Sequence, residues 1–347
     1  MKKKIIGLFL CSALVLASLA GCGSDKTAAT SEGESDSSAA SSGDTIKVAY
    51  VVSDMSHEWY QNIVKGAKIR AKELGMELKV ADSAMDVTKQ VTQVENMLAD
   101  GVDVQCITPI DPKALASVIG EATEGGVPIV SESNVIDGAA TYVGIDNMTA
   151  AEAAGEWFAE YAKKNSIKPK ILIVGQPAYA DCRQRVEGFK KGMDAAGLSY
   201  TIVQEVDGNG SKEESLTASQ DALTAHPEIN VIFGINDNST TGAMAAYKEA
   251  GLDESLLTAI GFGFEGAVGR NALLSGGPYK ASVAMFPDYM GYSLMDAAYK
   301  AAKGEKLPEN YVSGTVVITQ ENFSDFYTKD GDDYVTNFDA INALKKQ

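Results

Sequence analysis

From Ile46 onward, short runs of branched apolar residues alternate with longer stretches of helical period, and this alternation is played out twice with a long helical segment between the two rounds. The first round places strands at 46–52, 77–82, 103–109, 127–132 and 141–145. The second places them at 170–175, 200–206, 230–235, 256–262 and 279–286. Each run is apolar throughout instead of alternating, which is how a strand covered on both faces reads, and the intervening helical stretches of about 12 to 20 residues are long enough to cross over between parallel neighbours. Gly75, Gly101 and Gly251 stand where helices stop, while Asp86, Asp111 and Ser211 stand where helices are capped. A helix from about Thr149 to Lys164 separates the rounds. The expected fold is α/β, with two similar parallel-sheet lobes instead of one very wide sheet.

Ahead of this body, Met1-Lys2-Lys3-Lys4 precedes an apolar run from Ile5 to Leu19 and the tetrapeptide Leu19-Ala20-Gly21-Cys22. Three lysines and a short apolar core make a secretory leader, 1–21, too short and wrongly flanked for a membrane span. The tetrapeptide resembles the lipobox of bacterial lipoproteins. That likeness implies cleavage before Cys22 and lipidation of its thiol, which would hold the protein on the outer face of the cell membrane. Residues 22–45 are mainly Ser, Ala, Thr, Gly, Asp and Glu, and read as a flexible tether. The formal charge of −17 becomes more negative once the leader lysines go, which excludes nucleic acid as a partner. Of the four cysteines, Cys106 and Cys182 remain in the body, and unpaired thiols are expected.

In parallel sheets of this kind, ligands collect beyond the carboxyl ends of the strands. The segments there are 53–60, 108–111, 131–134, 176–185, 236–238 and 261–265, rich in hydrogen-bonding and aromatic groups. Gly261-Phe262-Gly263-Phe264-Glu265-Gly266 matches a dinucleotide fingerprint in letters. It comes late in the chain and lacks the acid expected about 20 residues on, so it reads as a tight strand-to-helix turn beside the cleft. Only His57 of the two histidines falls in a candidate segment, and no Cys-x-x-Cys is present, so neither metal nor cofactor is expected.

At these same positions the chain resembles the ribose and galactose type of sugar-binding proteins that serve ABC importers. The resemblance is carried by Val51-Val52-Ser53 with Trp59-Tyr60, Asp146-Asn147, Arg183 to Phe189, Leu223 to Pro227, Asn236-Asp237, Gly261-Phe262 and Phe286-Pro287-Asp288, and runs from 46 to 319. It implies a periplasmic binding protein type I fold: two doubly wound parallel-sheet lobes joined by a three-stranded hinge, with crossings near 146, 286 and 317. The lobes would be 46–146 plus 286–316 and 147–285 plus 317–347. The ligand-contacting positions it implies are His57, Trp59, Tyr60, Thr108, Ser133, Asn134, Arg185, Asn236, Gly263 and Met285. Aromatic rings at 59 and 60 suit a sugar's C–H face, and Arg185 offers a fixed fork of donors.

The chain departs from that pattern at Ser133, Asn134, Gly263 and Met285, where ribose binders carry aspartate, arginine, aspartate and glutamine. Two readings of the ligand follow. One is an anionic or carbonyl-bearing sugar relative facing Arg185 and His57; the other is a neutral sugar whose acceptors come from Glu132, Asp181 or Glu265. Asp146-Asn147 reads as turn chemistry, and Met285 as packing at the hinge edge. The resemblance implies a monomeric, extracytoplasmic receptor that delivers a small sugar-like solute to an ABC permease. The same binder could report its ligand to a membrane kinase or chemoreceptor. An enzyme is the remote alternative, since no Ser-His-acid set is evident.

Overall fold

A computed structural model describes residues 45–331 and 333–344. The leader, Cys22 and all of the tether except Thr45 lie outside the described residues. The first sheet takes β1 (Lys47–Val52), β2 (Glu77–Asp82), β3 (Val104–Ile107), β4 (Ile129–Glu132) and β5 (Thr141–Gly144), interleaved with α1 (Glu58–Glu73), α2 (Val87–Ala99) and α3 (Ala116–Glu124). After α4 (Asn147–Lys164) the second sheet takes β6 (Lys170–Gly175), β7 (Thr201–Asp207), β8 (Val231–Gly234), β9 (Thr258–Gly263) and β10 (Tyr279–Ala284), with α5 (Ala180–Ala195), α6 (Lys212–Ala225), α7 (Asp237–Glu249) and α8 (Ala267–Leu274) between them. Then come α9 (Pro287–Ala302), β11 (Asn310–Val312), β12 (Val316–Thr319), α10 (Phe323–Phe326), β13 (Tyr327–Asp330), β14 (Asp333–Thr336) and α11 (Phe338–Leu344).

Each main sheet has six strands, in the orders β11-β5-β4-β3-β1-β2 and β12-β10-β9-β8-β6-β7. All pairings in them are parallel except β10 with β12. In both, the order reverses beside the first strand of the round, β1 or β6, and this opens a crevice at the carboxyl ends. Continuous apolar runs make the inner strands, so that β1 after its first residue, and all of β3 and β9, are buried; the edge strands β2 and β7 depart from expectation, carrying charged residues and remaining part-exposed. Asp86 and Ser211 cap α2 and α6 through side-chain bonds to Lys89 N and Glu214 N. Asp111 departs from expectation. Its carboxylate takes the N–H of Lys113, two residues on, and a stretch of turns delays α3 to Ala116, which has no side-chain cap.

The chain passes between the sheets after β5, after β10 and at 313–315. The third passage precedes position 317 because β12 already starts at Val316 to pair with β10. On either side of the second passage, α4 packs against α5, and α9 packs against α1. That second pair is close: a Cβ on Gly66 would sit 1.7 Å from the carbonyl of Asp288, and one on Gly291 would sit 1.8 Å from that of Ile63. The tail touches both lobes. Phe323 and Tyr327 pack with Phe264 of the second, Tyr327 also meets Phe286 at the second passage, and Phe338 meets Tyr289 and Tyr292 of α9 edge-on. No helix among the described residues is long and apolar enough to cross a membrane, and Cys106 and Cys182 are both free.

Candidate functional site

A cavity of about 300 Å³ opens where the carboxyl ends of the two sheets face each other. That is the lower end of the roughly 300–1,000 Å³ range of small-molecule sites, a monosaccharide-sized space. The first lobe contributes His57, Trp59 and Tyr60 from the start of α1, Ser133 and Asn134 after β4, and Tyr142 from β5. Facing them across the gap are Asn147 of α4, Gln176, Tyr179, Asp181 and Arg185 around α5, Asn236 after β8 and Glu265 after β9. Met285 and Met290 close the hinge side.

Eight of the ten expected positions line this cavity, and two do not. Thr108 is fully buried beneath the wall, donating to Glu132 at 2.6 Å and hydrogen-bonded to the Tyr50 hydroxyl at 2.9 Å. Gly263 lies behind Glu265: its φ of +104° and Phe264's left-handed φ of +48° turn the chain so that Phe264 is buried and Glu265 reaches the wall. The late glycine motif is thus a strand-to-helix turn, as its place in the chain suggests. Asn147, read as turn chemistry, also faces the cavity, whereas its neighbour Asp146 does cap α4.

Tyr142, Gln176 and Tyr179 complete the polar wall together with Asp181 and Glu265, which the neutral-sugar reading offers as acceptors, whereas Glu132, the third of that set, is fully buried and does not line the cavity. Part of this was legible. Positions 181 and 185 are one turn apart on α5, so they share a face, and Tyr142 and Gly144 alternate to the same side of β5.

Arg185 is the best-anchored group. Its Nε donates to Asn147 Oδ1 at 2.8 Å, Nη1 to the carbonyl of Ile235 at 3.0 Å, and Nη2 to Asp181 Oδ2 at 3.3 Å, with the guanidinium 4.7 Å from the Phe262 ring centre. Three of its five N–H donors are therefore committed, and two remain for a ligand. His57 caps α1, its Nδ1 accepting from Trp59 N at 3.1 Å. Asn236 caps α7 through Ser239 N while donating to Gly210 O at 2.9 Å. Burial pushes the Cys182 thiol up to about 11, which makes it a packing group and not a nucleophile.

Below Ser133, itself left-handed at φ +61°, the Glu132 carboxyl accepts from Ser133, Thr108 and Tyr50, and burial still lifts it to about 7. Burial, with help from Asp237 and Glu58, lifts Glu265 to about 8. Asp237, behind it, is lifted by burial to about 6 despite donors from Tyr279 and Ser282. Among the described residues no group of three His, Cys, Asp or Glu side chains is placed to hold a metal.

Two contacts join the lobes beside the cavity. Asn62 of α1 donates through Nδ2 to the carbonyl of Glu265 at 2.9 Å, and the Glu58 carboxylate lies against Gly266, at the uncapped start of α8. An anion is favourable at a helix amino end. Asn62→Ala is expected to weaken ligand binding by about 1 kcal/mol by removing a bond that holds the lobes together. Calorimetry checks this, and an unchanged affinity would show that the bond does not help closure.

Two α/β lobes with a polar, aromatic-edged cavity between their carboxyl ends define a binding protein of the hinged, two-lobed class. The chain belongs to the periplasmic binding protein domain family, whose profile matches residues 48–306. It is similar to the ribose import binding protein RbsB of Escherichia coli K12, at 28% identity over 76% of this chain and 87% of that one. It is also similar to the D-ribose/D-allose-binding protein of Pseudomonas aeruginosa, at 29% over 59% and 67%. Among solved structures it resembles a Mycobacterium smegmatis ABC transporter solute-binding protein with bound glycerol, with a TM-score of 0.69 and 26% identity over 82% and 98% of the two chains. An Actinobacillus succinogenes relative with bound D-allose shares the fold at a TM-score of 0.72 and 24% identity, over 81% and 100%. The relatives it matches are binding proteins of transport systems, and this chain is a binding protein, not an enzyme.

Proposed function

We propose that this protein is a lipid-anchored, extracytoplasmic receptor that captures a sugar or sugar-like solute between its lobes and delivers it to an ABC permease as a monomer. The observation that carries this reading is the cavity itself: Trp59 and Tyr60 on one lobe face the anchored Arg185 and Asn236 on the other. Such a pairing offers one apolar face and a ring of hydrogen-bonding groups, which is the surface a hydroxylated ring needs. The named relatives support the solute class. Closing the hinge around ligand would give the permease a shape to distinguish loaded from empty receptor.

The test is a thermal-shift screen over pentoses, hexoses, polyols, sugar acids and nucleosides, followed by calorimetry on the best binder. Trp59→Ala should weaken binding by about 1–3 kcal/mol with the fold retained. An unaltered affinity would move the ligand elsewhere. For the anchor, Cys22→Ser should leave an unlipidated precursor in cells, and mass spectrometry that still found the mature product carrying lipid would refute the assignment.

A further inference from the structure

The polar groups of the cavity do not balance in charge. Arg185 is the one arginine or lysine on the wall, and Asp181 already pairs with it at 3.3 Å. The second wall carboxylate, Glu265, accepts no hydrogen bond from the described residues. Its main-chain carbonyl is held from the opposite lobe by Asn62, and Phe264 before it is buried, which fixes the backbone that carries the side chain. The charged groups that act on it most are Asp237 of α7 and Glu58 of α1, both acidic, and Arg185 of α5; Lys65 of α1 and Arg270 of α8, the latter paired with Asp333, line a smaller cavity that Glu265 also borders. Asp237 behind it accepts from Tyr279 and Ser282 on Oδ1.

A sugar acid placed here would find one guanidinium, already paired with Asp181, in a wall whose other charged side chain is acidic. A neutral ring would offer Glu265 a hydroxyl but no charge to set against its acidic neighbours. A ligand ammonium would supply both the missing donor and the missing charge.

Resting on the solute-receptor reading above, we propose that Glu265 sets the ligand's charge: the cleft takes a polyhydroxylated ring bearing a protonated amine, seated with its ammonium on the Glu265 carboxylate, and discriminates against sugar acids. Burial and its acidic neighbours hold Glu265 near 8 in the free protein. Seating a cation on it favours the ionised form, so binding at pH 7 releases a proton from Glu265 to solvent.

The experiment uses the full chain and matched sets: glucose, glucosamine and glucuronate; galactose, galactosamine and galacturonate; and myo-inositol with an amino-inositol. Thermal shift at pH 7 ranks each set, and calorimetry of the best binder in buffers of different ionisation enthalpy counts protons. The amine should rank first, with a proton released. Glu265→Gln should lower the amine's affinity at least about tenfold and the parent sugar's by less than about threefold. Should the variant fail to fold, the proton count on the unmodified protein decides alone. An acid or a neutral parent ranking first, or no proton release, overturns the inference and leaves the receptor reading intact. No shift with any compound, or with the wider sugar screen, removes both.

Discussion

Replacing Arg185 with alanine is expected to weaken ligand binding by about 2–4 kcal/mol, the largest loss of any single wall residue. The side chain is held by Asn147, the Ile235 carbonyl and Asp181, with Phe262 beneath it, so its two remaining N–H donors are aimed in advance and little entropy is spent in using them. Its removal also strands three acceptors at the edge of the cavity. Arg185→Lys should recover only a small part, because an ammonium cannot reproduce a planar fork. Calorimetry on both variants, with circular dichroism to confirm folding, makes the test. Full affinity in the lysine variant would show that charge alone matters there.

Stability should fall as pH rises from about 5 to 8. Glu132, Asp237 and Glu265 are pushed up to about 7, 6 and 8, above their ordinary values of 4.5, 3.8 and 4.5, chiefly by burial. In the folded chain each therefore keeps its proton over a range where the unfolded chain has lost it. The folded form binds more protons in that window, so their stabilising contribution is complete below the ordinary values and is lost as pH climbs through the raised ones. For Glu132 alone the loss amounts to about 3 kcal/mol at roughly 1.4 kcal/mol per unit. Lowered carboxyls such as Asp54 and Asp146, held down by hydrogen bonds from Ser56 and Thr149, act oppositely at the acid end. Glu132→Gln keeps an acceptor for Tyr50 and Thr108 while removing the titration, and should flatten the fall between pH 5 and 7. Denaturant melts at pH 5, 6, 7 and 8 check this; a slope identical to wild type would show that Glu132 does not titrate in the window.

The ten strands of the two rounds, the long α4 and the segments that converge on the cavity were all legible in the linear order of residues. Each depends on local pattern: an inner strand covered on both faces must be apolar throughout, an edge strand such as β2 or β7 keeps branched apolar residues among charged ones, and a ligand in such a sheet must meet the residues just past its carboxyl ends. The short strands β11 and β12 were not legible, because three or four residues carry no period and their partners lie far along the chain. Which side chain reaches the wall was decided by turns. Phe264 in left-handed backbone redirects the loop after β9, so that Glu265 replaces Gly263, while Thr108, after β3, turns into a buried network with Tyr50 and Glu132. Side-chain direction after a strand depends on one or two dihedrals that only the packed structure selects, so the chain alone determined the lobes and the neighbourhood of the site. Tertiary structure decided its charge.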